Sequence, residues 1–401
     1  TPEIRTRLRN FFLTSSARPT NADWKLARNR YDFALAQRVA LEESLPGTFI
    51  FKDLDQPRDS FVMTRGQYDK PGQKVEPTVP AIFPALKLDD PARRPNRLDL
   101  AKWLMSPDHP LPARVTVNRL WQQFFGMGIV KTSDDFGAQG EPPTHPELLD
   151  WMAVQYRESG WNTKAFVKLL LTSSAFRQDG KVLPEVFAKD PENRLYARGP
   201  RFRLDAEQIR DNSLFVSGLI RLKMGGPGVR PYQPPNIWEP VGYADSNTRF
   251  YLQDHGESLY RRSVYCFLKR TAPPREQLCA RRERTNTPLQ ALQLMNDTQQ
   301  FEAARAFAER ILAQGGKSTD ERLRYAYVTV LSRLPAEPEL ALLREAVAGY
   351  QERYSADLPS ADKVVRVGES RLKSGASVPE LAAWTLVSNL ILNLDETVTR
   401  N

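Results

Sequence analysis

Apolar residues recur at helical spacing along most of the chain, and from residue 96 onward this pattern dominates. After a first helix over 21–43, the pattern predicts helices over 97–105, 111–125, 146–158, 162–174, 205–220, 288–313, 319–333, 338–353 and 378–394. The last helix is apolar on most faces from Leu381 to Leu394. We therefore expect it to be buried at the centre of a helical bundle.

Four of these helices begin with a sequence typical of a capping box. A hydroxyl residue followed three positions later by Glu or Gln can satisfy backbone N–H groups that the first helical turn leaves without a partner. The four pairs are Thr144 with Glu147, Thr287 with Gln290, Ser318 with Glu321, and Ser377 with Glu380. They fix where these helices should begin.

Non-helical patterns interrupt the helices in three places. Short β-type runs at 48–51 and 60–64 predict two strands, and the proline-rich stretch 70–95 predicts an extended connector. Residues 225–285 contain Gly and Pro clusters that cannot sustain a helix, although 259–268 alternates enough to predict a strand. The fold class is therefore mainly α: a multi-helix bundle with a small β element near the N-terminus and a long irregular or β insertion around 225–285.

The same boundaries give a domain prediction. We expect an N-terminal helical segment over 1–45, short strands and a connector over 46–95, and a main helical domain over 96–401 that carries the 225–285 insertion. Because the chain begins at Thr1 without Met or a signal-like apolar segment, we expect a mature or internal piece of a longer protein. No apolar run approaches the roughly 18 residues that span a bilayer, so no membrane span is expected.

Charge and cysteine usage narrow the chemistry. The 57 basic and 48 acidic residues give a net charge of +9, but the basic residues are scattered, which favours a solvated surface over a nucleic-acid interface. The two cysteines, Cys266 and Cys279, form neither a CxxCH haem-attachment motif nor a CxxC zinc motif. We therefore expect no cofactor bound to this chain, and the pairing of the two cysteines stays open.

Two of the three histidines are candidate site residues. His145 precedes Glu147 and Asp150, where it could act as a general base, although helix-start chemistry explains this sequence better. Asp254, His255 and Glu257 form a second cluster, a candidate catalytic or divalent-metal site whose loose spacing argues against a metal. The motifs of serine hydrolases and zinc proteases are missing from the sequence.

The 225–285 segment is the predicted binding surface. Its aromatic residues Trp238 and Tyr243 could stack on sugars, since aromatic faces pack against apolar ring surfaces. A cluster of cationic and amide side chains could hold a sulfate or carboxylate at the next helix start: Arg281, Arg282, Arg284 and Asn286. The favoured alternative is that these arginines pair internally with Asp205, Glu207 and Asp211.

Three long motifs carry a family resemblance. These are RVTVNRLW at 114–121, GEPPTHPELLDW at 140–151 and RRERTNTPLQALQLMND at 281–297. Over roughly 49–401 the chain resembles the planctomycete-specific domain of unknown function 1553, which usually follows planctomycete c-type cytochrome domains. The chain looks shorter than that family between Pro274 and Arg275.

The resemblance implies a setting more than an activity. It implies a periplasmic or secreted location, a c-type haem on an upstream domain or a partner chain, a sulfatase-like neighbour protein and a role in polysaccharide processing. We therefore expect a non-catalytic binding or scaffold module that docks a cytochrome domain or partner protein and holds an acidic polysaccharide. The alternatives are a hydrolase of polysaccharide or sulfate ester, using His145 or His255 with a nearby carboxylate, and a purely structural scaffold.

Overall fold

The computed structural model describes residues 4–6, 9, 22–45, 50–52, 54, 56–234, 238–241, 249–267 and 287–400. These residues fall into two compact units, Thr1–Glu76 and Pro77–Asn401. Within them the fold is mainly α, with two small antiparallel sheets. Among the described helices, none has both the length and the apolar character that crossing a bilayer requires.

The described residues of the first unit include a helix and a β-hairpin. Helix α1 is Ala22–Ser44, and strands β1 (Ser60–Met63) and β2 (Pro71–Val75) pair antiparallel across a turn that includes Arg65 and Gly66 at positive φ. The predicted strand over 60–64 is confirmed, but its partner β2 occupies the start of the stretch predicted as a connector. Of the other predicted strand, 48–49 lie outside the described residues, and Ile50 and Phe51 are not in a strand.

The second unit contains the remaining helices. Their bounds are α2 Arg97–Leu104, α3 Pro112–Phe125, α4 Pro146–Glu158, α5 Thr163–Thr172, α6 Pro184–Lys189, α7 Ala206–Ser217, α8 Pro288–Asn296, α9 Thr298–Gln314, α10 Thr319–Leu331, α11 Glu337–Ala356, α12 Leu358–Val365, α13 Val378–Leu392 and α14 Asp395–Val398. Strand β3 (Phe202–Arg203) pairs with strand β4 (Thr399–Arg400) in an antiparallel arrangement. The other long predicted helices are present and 288–313 is divided in two, whereas α6, α12 and α14 were not predicted.

One predicted helix, over 288–313, is two helices. Asp297 is extended at φ −65° and ψ 132°, and its carboxylate accepts a hydrogen bond from the backbone N–H of Gln300. It therefore ends α8 and caps α9. The prediction of one continuous helix was wrong because apolar periodicity continues across a single capping residue.

The predicted capping boxes had different outcomes. Those at Thr287 and Ser318 are confirmed. Ser377 caps α13, but the carboxylate of Glu380 bonds to Arg322 instead of returning to the cap. The box at Thr144 was wrong: α4 is preceded by His145, and the Thr144 hydroxyl donates to the carbonyl of Ile129.

Two main cores hold the second unit together. Helices α9 and α13 pack on each other, with α10, α11 and α12 around them. Helix α13 is buried on nearly every face, as its sequence predicts; Trp384 and Ile391 lie within this core. A separate core joins α3, α4 and α5, where Trp121 stacks on Phe125 with ring centroids 3.9 Å apart.

The described part of the 225–285 insertion is held without regular strands. The segments 219–234 and 249–267 lie side by side. Two single β-bridges join them, one between Arg221 and Arg261 and the other between Val229 and Cys266. The predicted strand over 259–268 was wrong, because its described residues form two 3-10 turns, Gly256–Tyr260 and Ser263–Tyr265. Leu259 and Tyr260 anchor this region in a small core against α7 and α9.

Candidate functional site

Of the predicted binding residues, only Trp238 lies within the described part of the chain. Trp238 is 4% exposed and packs against Tyr251 and Phe267, with ring centroids 4.9 and 5.6 Å away. The other predicted residues, Tyr243, Arg281, Arg282, Arg284 and Asn286, lie outside the described residues, as does Cys279. Their ligand-binding role stays a prediction, and Trp238 contributes a buried ring that supports the insertion.

The internal pairing of those arginines with Asp205, Glu207 and Asp211 stays a prediction, and two of these acids have contacts within the described residues. Asp205 caps α7. Asp211 accepts a 2.7 Å hydrogen bond from the backbone N–H of Ser263 and lies within 4 Å of both Arg210 and Arg262. Glu207 lies in the first turn of α7. At Asp211 the charge therefore ties α7 to the insertion.

His145 lies apart from the acids that follow it in sequence. Its Nδ1 is 3.0 Å from the Thr144 hydroxyl, and its ring is 5.5 Å from that of Tyr196. Asp150 instead pairs with Arg114 at 2.5 Å, which holds the pKa of that carboxyl below its usual value, and Glu147 is exposed. The structure thus gives His145 no carboxylate partner among the described residues.

The cluster around His255 is divided among different partners. Asp254 accepts a 2.7 Å hydrogen bond from the backbone N–H of Arg230, and Glu257 pairs with Arg221 at 3.1 Å. Across the described part of the chain, no three His, Cys, Asp or Glu side chains are grouped closely enough to hold a metal ion.

His255 does have a carboxylate partner, but a distant one in sequence. Its Nδ1 lies 2.7 Å from Oε1 of Glu369, in the loop between α12 and α13. Glu369 also accepts hydrogen bonds from Gln253 and from the backbone N–H of Gly256, each 3.2 Å long. Burial works to raise the pKa of Glu369, but these hydrogen bonds and the charge of His255 outweigh it and hold the pKa below its usual value.

A buried polar stripe on α9 fixes the loop that carries Glu369. Glu302, which is fully buried, accepts hydrogen bonds from the Tyr260 hydroxyl at 2.8 Å and from the backbone N–H of Ser370 at 2.6 Å. Arg305 donates to the carbonyl and hydroxyl of Ser370. Burial, reinforced by the Glu302 carboxylate, raises the pKa of Tyr260 well above its usual value. The Tyr260 hydroxyl therefore stays a proton donor to Glu302.

Gly368 allows this loop to approach α9. Its φ is +87°, and a Cβ at this position would overlap the side chain of Glu302. The backbone N–H of Glu369 then donates to the Tyr232 hydroxyl at 2.9 Å. The loop is thus held at three successive residues, which fixes the Glu369 carboxylate beneath His255.

The resulting pair, His255 and Glu369, is at the surface. The His255 side chain is 75% exposed, so its second ring nitrogen is accessible to solvent. A carboxylate that holds one imidazole nitrogen leaves the other to accept or donate a proton. The acidic neighbours of His255 mark it in the sequence, but nothing there marks Glu369, because 114 residues separate the two and no local pattern identifies an acid in a loop.

Comparison with known proteins gives a match to a protein family. A family model described as PSD1, protein of unknown function (DUF1553), matches residues 96–347. The matched residues contain His145, Asp254 and His255, whereas Glu369 lies beyond them. Searches of the curated proteins and of the solved structures gave no match.

Proposed function

This chain belongs to the DUF1553 family, and from that premise we propose that it is a helical binding and scaffold module of an extracytoplasmic, cytochrome-associated assembly. In this proposal the chain docks a c-type cytochrome domain, holds acidic polysaccharide through the 225–285 insertion and acts beside a sulfatase-like protein. The haem belongs to the docked domain. The observation that carries the docking role is the exposed apolar surface of the first unit.

The first unit lacks a core of its own in its described residues. Among the side chains of this unit whose exposure the structure describes, none is buried, although α1 and the hairpin carry many large apolar residues. Phe51 is 94% exposed and Tyr68 is 90% exposed. An isolated two-stranded hairpin is marginally stable in water, and burying apolar surface contributes about 25 cal/mol per Å². A protein partner that covers this surface would therefore stabilise the unit and gain affinity from it.

The charged residues of the second unit support a scaffold role. Arg333 bonds to Glu339 at 2.7 Å and to Glu396 at 2.6 Å, and so ties the start of α11 to α14. Arg344 bonds in the same way to Asp320 and Glu337. These guanidinium groups join elements of the fold to one another, which suits a rigid platform.

The docking role is tested by capturing the tagged full chain from its native source and recording a reduced-minus-oxidised visible spectrum of the captured material. We expect c-type haem bands with the parent and their loss with a Phe51→Ser, Tyr68→Ser double variant. The matched control is Val328→Ser with Leu342→Ser, which removes exposed apolar side chains from the second unit. Haem retained by the first variant, or missing from the parent, contradicts the proposal.

A second candidate is a hydrolase of polysaccharide or sulfate ester, and the 2.7 Å contact between His255 and Glu369 favours it. His255 would remove a proton from the attacking water, while Glu369 would orient the ring and stabilise its charged form. The test is sulfate or reducing-sugar release from sulfated polysaccharide. This candidate predicts that His255→Asn abolishes release and that His145→Asn, which alters a histidine without a carboxylate partner among the described residues, leaves it unchanged. Equal loss in both variants, or no release by the parent, rejects it.

A further inference from the structure

An open cavity of about 470 Å³ lies between α10, α11 and α13. Its wall is formed by Thr319 and Arg322 of α10, Gln351 of α11, and Glu380 and Trp384 of α13. Pockets of about 300–1,000 Å³ are the size that small organic ligands occupy. The cavity shares no residue with the 225–285 insertion or with the pair of His255 and Glu369.

Charge within the wall is already balanced. Arg322 donates to Glu380 at 2.9 Å and its guanidinium carbon lies 5.9 Å from the Trp384 ring. Arg344, which also lines the cavity, donates from Nε, Nη1 and Nη2 to the carboxylates of Asp320 and Glu337. Two guanidinium groups thus have three carboxylate partners, so the wall offers no excess positive charge to an anion.

The wall nevertheless retains hydrogen-bonding capacity. Among the described residues, the Thr319 hydroxyl and the Gln351 amide have no hydrogen-bond partner, and Glu380 uses only Oε1 in its bond to Arg322. These groups supply both donors and acceptors. Val347 and the largely buried Trp384 give the same wall an apolar portion.

We infer that this cavity binds a neutral polyhydroxylated molecule of the size of a hexose. Such a molecule presents hydroxyls that both donate and accept, which matches the amide, hydroxyl and carboxylate groups of the wall. Its C–H face can pack against Val347 and Trp384. An anionic ligand would meet Glu380 and the carboxylates that neutralise Arg344, and a purely apolar ligand would leave the polar groups without partners. Binding of this kind goes beyond the proposed function, because it needs neither the docked partner nor the insertion.

The test is a titration of the purified full chain with D-glucose, D-galactose and D-mannose, each compared with its uronic acid, by saturation-transfer NMR and calorimetry. We expect at least one neutral hexose to bind and its uronic acid to bind at least tenfold more weakly. Gln351→Leu should weaken hexose binding at least tenfold, since it replaces the amide with an aliphatic group that neither donates nor accepts a hydrogen bond. Gln293→Leu, at an exposed helical position on α8, is the matched control and should bind as the parent does.

A second variant tests whether the sugar binds in the cavity without altering Gln351. Ala348 is exposed on the cavity wall, so Ala348→Trp should fill the cavity and abolish binding without disturbing the core. Failure of all three hexoses to bind at millimolar concentration overturns the inference, as does tighter binding of the uronic acids. Binding that survives both Gln351→Leu and Ala348→Trp also overturns it, because the sugar would then lie elsewhere. The capture experiment on the first unit is unaffected by any of these results.

Discussion

Replacing Gly368 with Ala should be among the most destabilising single-methyl changes in the second unit. The residue has φ +87°, where an L-residue is strained by about 1–2 kcal/mol. The added Cβ would also overlap the Glu302 side chain, which has no space to move without losing its hydrogen bonds from Tyr260 and Ser370. Hydrogen bonds to charged groups contribute about 1.5–3 kcal/mol each, so the strain and the loss of one such bond together give an expected total of roughly 4 kcal/mol.

Two other glycines separate the contributions of strain and overlap. Gly218 ends α7 at φ +77°, and an added Cβ there would meet nothing within 4 Å, so Gly218→Ala should cost only the strain of about 1–2 kcal/mol. Gly349 lies inside α11 with open space around it, so Gly349→Ala should stabilise by about 0.5–1 kcal/mol. Urea unfolding followed by tryptophan fluorescence ranks the three variants.

A cost of Gly368→Ala no greater than that of Gly218→Ala would refute this reasoning, because Glu302 would then move aside freely. A double variant sharpens the comparison. In the background of Glu302→Ala the overlap is removed, so adding Gly368→Ala should cost only the strain. The difference between the two backgrounds is the coupling energy of the pair, expected at about 2 kcal/mol or more. Additive costs in the double variant would place the clash elsewhere.

Three further predictions concern ionisable groups. The hydrogen bond from Arg333 lowers the pKa of Glu339 from 4.5 to about 2. The stability that this bond contributes is therefore fully present above pH 4.5 and should be lost as the pH falls toward 2. Urea midpoints measured across that range should show a smaller loss in Glu339→Gln. Burial lowers the pKa of His109 from 6.5, so the unfolded chain binds a proton at a higher pH than the folded chain does. The free energy of unfolding should therefore decline below pH 6.5. If its slope against pH is unchanged in His109→Phe, this origin is contradicted. Glu369→Leu should abolish the preference for a proton on Nδ1 of His255, because it removes the oxygen that accepts from that atom. ¹⁵N spectra of the imidazole report the tautomer directly, and an unaltered tautomer would mean that Glu369 does not orient the ring.

Much of the fold could be predicted from the sequence because its determinants are local. Apolar periodicity placed the long helices, and Ser318 and Thr287 marked helix starts through their own side chains. The errors arose where a local pattern was overruled by packing. Thr144 bonds to Ile129 instead of capping α4. Residues 256–260 and 263–265 form 3-10 turns, and Leu259 and Tyr260 pack in the core beside α9.

The candidate site was less predictable, since it depends on contacts between distant segments. His255 could be selected from its acidic neighbours, but Asp254 and Glu257 are occupied by Arg230 and Arg221. Its actual partner, Glu369, is placed by buried side chains on α9 that look like ordinary polar helix positions in the sequence. A Glu or Arg at such a position is normally solvated, and only the tertiary structure reveals that it is buried.

The central position of α13 has a consequence for synthesis of the protein. A nascent chain leaves the ribosome N-terminus first, so α9 emerges well before the helix that covers it. Until residues 378–392 follow, the buried face of α9, which includes Phe307 and Ile311, has no α13 to pack on. At translation rates of about 5–20 residues per second this interval lasts several seconds, long enough for a chaperone to engage the exposed face. The bundle can close only after translation has passed its central helix.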